Sequence, residues 1–362
     1  MTIPPESTMF DRIIAFIRSL FPGKEKIALH EPCFDQKEKA YVNAAIDSTF
    51  VSYVGEYVNR FEEMMCDITG SPFAVATVNG TAALHTALMV SGVKREDEVI
   101  TQPLSFVATA NAISYCGATP VFLDVSKDTL GLDPAALENF LEQHGSLRGK
   151  TCYNTKSGRR IAACVPMHTF GHPCQIDAIA RICQQYQITL IEDAAESLGS
   201  LYNQQHTGTF GRIGIYSFNG NKTVTCGGGG ILVTDDKKIA RAARHLTTTA
   251  KVPHEYEYIH DAIGYNYRLP NINAAVACAQ LEKLETYIRH KRDLAEKYAV
   301  FFEAERIPFV REPRGAQSNY WLNAIILLDR ETRDGFLEAS NSAKVMTRPV
   351  WKLINELDMY KD

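Results

Sequence analysis

From residue 73 to residue 234 the chain alternates short apolar runs with helix-length stretches, and this alternation constrains its fold more than any other feature. The runs 73–78 (FAVATV), 98–101 (EVIT), 120–124 (PVFLD), 161–168 (IAACVPMH), 189–193 (TLIED), 213–216 (IGIY) and 231–234 (ILVT) read as strands. Between or after them, 82–90, 107–115, 135–143, 176–186 and 236–246 carry helical patterns. Strands this apolar, separated by helices, specify a doubly wound, mostly parallel α/β sheet covered on both faces. Upstream, 35–50 and 56–68 read as helices, and a long helical pattern runs from Asn273 to about Glu303. Open sheets of this kind bind ligands at the C-terminal ends of their strands. Asn79-Gly80-Thr81, Ser105-Phe106, His168 and Asp193 all fall at such ends.

One lysine occupies an unusual place in this pattern. Lys222 lies in 217–230 (SFNGNKTVTCGGGG), a polar, glycine-rich bend that joins two buried strands. A lysine normally projects into solvent, and a glycine run lets backbone approach something closely. Either Lys222 decorates a surface hairpin, or it points into a pocket and carries a carbonyl cofactor on its amine. A nucleotide-binding P-loop is excluded, because Asn221 and Tyr216 stand where that motif needs glycine.

Asp193 precedes Lys222 by 29 positions, and each stands at a strand exit. Pyridoxal 5'-phosphate needs such a pair: a lysine on its aldehyde, and a carboxylate that keeps its ring nitrogen protonated so that the ring takes up electrons. Gly80, Thr81 and Ser217 are available for its phosphate, since a helix start offers free N–H groups and positive potential. Phe106 is available to stack on its ring. Each feature also has an ordinary reading. Asn79-Gly80-Thr81 suits a plain helix cap, and Asp193 with Glu192 and Glu196 suits a capped turn or a metal. His168 and His172 near Cys164 and Cys174 invite a zinc, but Gly171 and Pro173 spoil the helical geometry and the spacing fits no zinc pattern. No metal is expected.

Composition narrows the class further. A net charge of −4 without a basic stripe argues against a nucleic-acid binder. Nine cysteines, mostly in apolar runs, read as reduced structural thiols of a cytoplasmic protein. The segment 9–21 (MFDRIIAFIRSLF) is an amphipathic helix rather than a signal peptide or a membrane span.

Three separated motifs carry a family resemblance. The segments 189–198 (TLIEDAAESL), 217–230 and 264–271 (GYNYRLPN), in order with ATVNGTAALHTAL and PLSFVATANAI, resemble the DegT/DnrJ/EryC1/StrS family of sugar aminotransferases. The resemblance runs from about residue 28 to the C-terminus. It implies an aspartate-aminotransferase-like (fold type I) large domain with a mostly parallel seven-stranded sheet, and a smaller α+β C-terminal domain. The expected limits are 1–30 for an N-terminal helix and arm, 31–265 for the cofactor domain, and 266–362 for a long bridging helix and the small domain.

The motifs SFNGNK and DAAES resemble the branch that aminates C4 of nucleotide-linked 4-keto-6-deoxy sugars, as bacillosamine and perosamine transaminases do. The leader 9–21 and the segment 247–268 look most like the legionaminic-acid subgroup, which acts on a UDP-linked 2-acetamido-4-keto-2,4,6-trideoxyhexose. By resemblance, Lys222 bears the cofactor, Asp193 pairs with its ring nitrogen and Phe106 stacks on the ring. Gly80, Thr81 and Ser217 hold the phosphate, and Glu196 lies near the phenolic oxygen. Asn266, with Arg268 close by, reaches the cofactor phosphate of a neighbouring subunit, which implies a homodimer with shared active sites. L-Glutamate is the implied donor, and Glu31, His168 and Tyr267 are expected near substrate. The implied setting is bacterial lipopolysaccharide or capsule biosynthesis, with no nucleic-acid or membrane partner. A sugar dehydratase of the same fold is the alternative within the family, but such relatives carry histidine in place of the lysine. A non-catalytic cofactor-binding regulator is the second alternative. Two departures stand out: Cys226 replaces a small residue and threatens an oxidation-sensitive loop, and the sequence stops at Asp362, so an incomplete small domain is expected.

Overall fold

The computed structural model describes residues 6–361. Seven strands form the central sheet: β1 Phe73–Thr77, β2 Glu98–Thr101, β3 Thr119–Phe122, β4 Ile161–Val165, β5 Thr189–Asp193, β6 Ile213–Ser217 and β7 Gly230–Thr234. Their order across the sheet is β1-β7-β6-β5-β4-β2-β3. The pairs from β6 to β3 are parallel, whereas β7 runs antiparallel to both β6 and β1. The connections explain the exception. Parallel neighbours need a crossover, supplied by helices such as Ala108–Tyr115 and Ile176–Gln185. The link from β6 to β7 is the glycine-rich loop 218–229, which returns directly and reverses the strand.

Alternation along the strands fills both faces. Ala76, Tyr216, Ile231 and Val233 join Phe61 and Met65 on one side. Val75, Ile215 and Leu232 join Leu84, Leu88 and Ile239 on the other. Because β7 is reversed, its first residue lies at the edge where the other strands end. That edge gathers Thr77, Asp193, Ser217 and Gly230.

Two sequence expectations changed in detail. The polar excursion at 145–160 contains a hairpin of Gly145–Arg148 and Thr151–Asn154. The long helical pattern is two helices, Asn271–Leu281 and Leu284–Ala304. The break falls at two charged residues whose side chains are drawn to opposite charges. Glu282 pairs with Arg60 at 2.7 Å, and Lys283 with Asp35 at 2.7 Å and Glu38 at 2.6 Å.

The chain comprises two compact units. One is formed by Pro32–Asp293, Glu312–Trp321 and Lys352–Asp362 and holds the sheet. The other is formed by Met1–Glu31, Leu294–Arg311 and Leu322–Trp351. In it the helix Glu6–Leu20 buries Phe10, Ile13 and Ile17 against Phe302, Ile307, Phe336 and Val345. The stripe seen in 9–21 is therefore a core face. Among the described residues no helix is long and apolar enough to cross a membrane.

Candidate active site

Asp193 closes β5, and its side chain is buried. Oδ2 accepts a hydrogen bond from Thr109 Oγ1 at 2.8 Å, and Oδ1 accepts one from the Ala195 N–H at 3.2 Å. Burial pushes the Asp193 pKa up; Thr109, Ala195, Lys222 and His168 act against burial without offsetting it. Glu196 follows in the turn after the strand. Its Oε2 accepts the Phe170 N–H at 2.9 Å, and its Oε1 faces Lys222 Nζ at 3.3 Å. Burial raises its pKa as well, and the Lys222 charge opposes that rise more than any other neighbour.

Lys222 is aimed inward because both ends of its loop are clamped. The Phe218 N–H donates to the Gly229 carbonyl, and the Cys226 N–H to the Phe218 carbonyl. Phe218 is buried edge-on against Phe61, with centroids 4.9 Å apart. The lysine side chain is only 13% exposed. Its Nζ lies 4.0 Å from the centroid of the Trp321 ring, a cation–π contact. Trp321 is fixed in turn, its Nε1 donating to the Asn221 carbonyl at 2.7 Å.

Asn319 ties these pieces together. Its Nδ2 donates to the carbonyls of Glu196 and Leu198, and its Oδ1 accepts the Trp321 N–H at 2.8 Å. Gly171 has φ +92° and packs against Asn319 Oδ1, leaving no space for a Cβ. Thr109, Phe170, Asn319 and Trp321 were not singled out in the sequence. Phe170, two residues after the exit residue His168, and Thr109, three residues after Phe106, stood near recognised strand ends.

At the neighbouring strand ends, the helix Gly80–Val90 begins with Asn79 as its cap, Oδ1 accepting the Ala82 N–H at 2.8 Å. The N–H groups of Gly80 and Thr81 belong to the first turn, outside the helical ladder. Ser217 lies directly opposite: a Cβ built on Gly80 would stand 2.9 Å from Ser217 Cβ and 3.3 Å from its Oγ. Two N–H donors, a hydroxyl and the helix dipole around a space cleared by glycine suit a phosphate group. Gly230 keeps this arrangement close, because a Cβ there would meet the Asn79 carbonyl. Gly230→Ala is expected to cost about 1–3 kcal/mol of stability by overpacking and to weaken pyridoxal phosphate binding. Urea denaturation and cofactor titration would measure both, and wild-type values in both would contradict this reading of the junction.

The other expected site residues are placed differently. Phe106 is 53% exposed at the same edge. Asn266 is exposed on the segment that bridges to Thr248. Tyr267 stacks on Tyr265 at 4.9 Å, and its carbonyl accepts the Val78 N–H. Arg268 is buried, paired with Glu62 at 2.9 Å and donating to the Ala76 carbonyl, so its guanidinium braces β1. His168 is fully buried. Its Nδ1 accepts the Cys174 N–H, so Nε2 carries the proton and donates to Glu192 at 3.0 Å. Glu192 also accepts N–H groups of Gly208, Phe210 and Gly211. Its carboxylate is thus occupied on the side of β5 opposite Asp193. Glu31 belongs to the other unit, where it pairs with Lys24. Among the described residues no group of three or more His, Cys, Asp or Glu is arranged to hold a metal. Cys226 is buried with its thiol pushed up to about 12, so it is a protonated packing group rather than a reactive one.

The family model for the DegT/DnrJ/EryC1/StrS aminotransferase family matches residues 32–362. The chain belongs to this family. It is 34% identical to the GDP-perosamine synthase of Escherichia coli O157:H7, over 93% of this chain and 87% of that protein. It is 36% identical to EpsN of Bacillus subtilis (strain 168), named provisionally as a pyridoxal phosphate-dependent aminotransferase, over 93% of this chain and 84% of that one. Among solved structures, Helicobacter pylori PseC, an aminotransferase involved in the biosynthesis of pseudoaminic acid, superposes with a TM-score of 0.83 at 25% identity. That match covers 93% of this chain and 87% of PseC. As a DegT/DnrJ/EryC1/StrS sugar aminotransferase, the protein has the fold-type I architecture and depends on pyridoxal 5'-phosphate. The lysine, the two buried carboxylates and the anion cradle at one sheet edge fit that cofactor.

Proposed function

We propose that this aminotransferase moves the amino group of L-glutamate to C4 of a nucleotide-linked 4-keto-6-deoxyhexose. One observation carries the reading: Lys222 Nζ is held 3.3 Å from Glu196 in the loop that leaves β6, one strand from the buried Asp193. Bound pyridoxal phosphate supplies an aldehyde that exchanges amino groups and a ring that accepts an electron pair. Lys222 carries the cofactor at rest; once released, its amine moves a proton to and from the α-carbon of the amino acid as general base and acid. Glu196 and Trp321 fix the direction of that amine. Asp193 holds a proton on the ring nitrogen. Gly80, Thr81 and Ser217 bind the phosphate, and Phe106 covers the ring.

Asn266 serves the cofactor of a second copy, which makes the enzyme a homodimer. In support, the loop 50–54 exposes Phe50, Val51, Tyr53 and Val54 together while Asn271 anchors it through the carbonyls of Phe50, Val51 and Ser52. An apolar cluster on a fixed loop suits an interface. Sedimentation as a monomer at micromolar concentration would contradict the dimer. All nine cysteines are free, in keeping with a reducing cytoplasm.

The C4 ketone is common to both sugar classes in view. The UDP-linked 2-acetamido-4-keto-2,4,6-trideoxyhexose is favoured by the likeness of 9–21 and 247–268 to the legionaminic-acid subgroup. The relatives named GDP-perosamine synthase favour a GDP-linked sugar. A panel of UDP-, GDP- and dTDP-linked keto sugars, incubated with glutamate and read by mass spectrometry, separates them. The expected result is an amino sugar from one nucleotide class, with 2-oxoglutarate released only when that sugar is present. Loss of water from the sugar without amination would instead identify a dehydratase.

A further inference from the structure

The carboxylate of Asp193 is held by a directed pair of hydroxyls. Thr109, in the helix Ala108–Tyr115, donates to Asp193 Oδ2 at 2.8 Å. Ser105 Oγ lies 2.9 Å from the same Thr109 oxygen. A hydroxyl has one proton to donate, and an ionised carboxylate only accepts. With the Thr109 proton committed to Asp193, the bond between the two hydroxyls has Ser105 as its donor. Ser105 Oγ also lies 3.0 Å from Met167 Sδ and 3.3 Å from the Phe106 carbonyl, both weaker claims on its proton. All three side chains are buried, at 1%, 1% and 4% exposure for Ser105, Thr109 and Asp193, so water does not compete for these bonds. The opposite carboxylate oxygen has a single backbone donor, Ala195. Of the titratable groups facing Asp193, Lys222 favours its anion most, His168 favours it when protonated, and Glu196 is a like charge nearby.

We infer that Thr109, fed by Ser105, is the positioning residue that keeps the Asp193 carboxylate ionised and aimed, and thereby keeps the cofactor ring nitrogen protonated. The inference rests on the pairing of Asp193 with that nitrogen. Hydrogen bonds to a charged acceptor are stronger than neutral ones, and in a buried site nothing replaces a lost donor. Without the Thr109 hydroxyl the carboxylate becomes more basic and takes the proton it should leave on the ring. Valine keeps the shape of threonine and removes the donor; serine keeps the donor.

The test uses holoenzyme loaded with pyridoxal phosphate labelled with nitrogen-15 in the ring. In wild type and Thr109→Ser the ring resonance should be that of a protonated pyridine across neutral pH. In Thr109→Val it should move toward the neutral pyridine position. The pH at which the resonance changes should be displaced by about one unit, with kcat reduced about tenfold. Ser105→Ala should shift it in the same direction by less, because the Thr109 donor remains. If Thr109→Val does not fold or load, Thr109→Ala removes the same donor and should give the same displacement. Asp193→Asn separates the two levels of the account. A protonated ring in that variant overturns the pairing itself. A neutral ring in Asp193→Asn together with an unchanged resonance and pH profile in Thr109→Val or Thr109→Ala overturns only the role of Thr109.

Discussion

Lys222→Ala should remove transamination altogether, with turnover falling by about ten-thousandfold or more, the scale on which an enzyme depends on a positioned proton-transfer group. The loss has two sources. The amine that carries the cofactor is gone, and so is the base that moves the α-proton. The variant should remain folded, because the Lys222 amine meets Glu196 and the Trp321 ring and is not part of the apolar core beside it. Two further consequences distinguish it from a damaged protein. Its thermal transition should stay near wild type, and the cofactor should wash out on dialysis because only the phosphate cradle and ring contacts hold it. Steady-state kinetics, calorimetry and absorbance after dialysis give the three readings. Full activity in Lys222→Ala would remove the basis of the mechanism.

Asp193→Ala is the second large effect. Removal of a charge placed where the transition state needs it costs about a hundred- to thousandfold in turnover. Asp193→Asn should lose nearly as much although it preserves the volume, since a neutral amide cannot hold the ring proton. The comparison separates charge from packing: a near-normal Asp193→Asn would mean that shape alone matters at this position. The position is buried and its pKa is already raised by desolvation, so it depends on every donor that faces it. Thr109 and the Ala195 N–H therefore matter to catalysis although neither would touch substrate.

Lys222 and Asp193 were legible in the sequence because each stands where an apolar run ends, and strand ends of a parallel sheet share one edge. Gly80 and Ser217 followed from the same rule, and the structure brings them together. His168 obeyed the rule in sequence and departs from it in space. Its strand exit is at the edge, but its ring turns to Glu192 beneath the loop 206–211. Neighbouring residues of a strand face opposite sides. That alternation, applied to Glu192 and Asp193, would have removed Glu192 and its partner from the site. Arg268 was expected beside Asn266, close to the cofactor phosphate of a second subunit, yet Glu62 holds its guanidinium within its own subunit. Glu62 lies mid-helix, more than two hundred residues earlier, and no local pattern links the two. Asn319 and Trp321 were hidden for the same reason. They reach the site from a segment without regular secondary structure, and their value lies in contacts to Glu196, Leu198 and Asn221. Cys226, an oddity in the sequence, is a packing residue against Gly229.

The central claim is that Lys222 carries pyridoxal phosphate in a sugar aminotransferase, and chemical trapping tests it most directly. Holoenzyme reduced with borohydride, digested and mapped by mass spectrometry should show the pyridoxyl group on the peptide containing Lys222 and on no other peptide. Prior incubation with glutamate, which releases the lysine, should prevent the label, and addition of the accepted keto sugar should restore it. A label on a different lysine, or labelling indifferent to glutamate, would contradict the account.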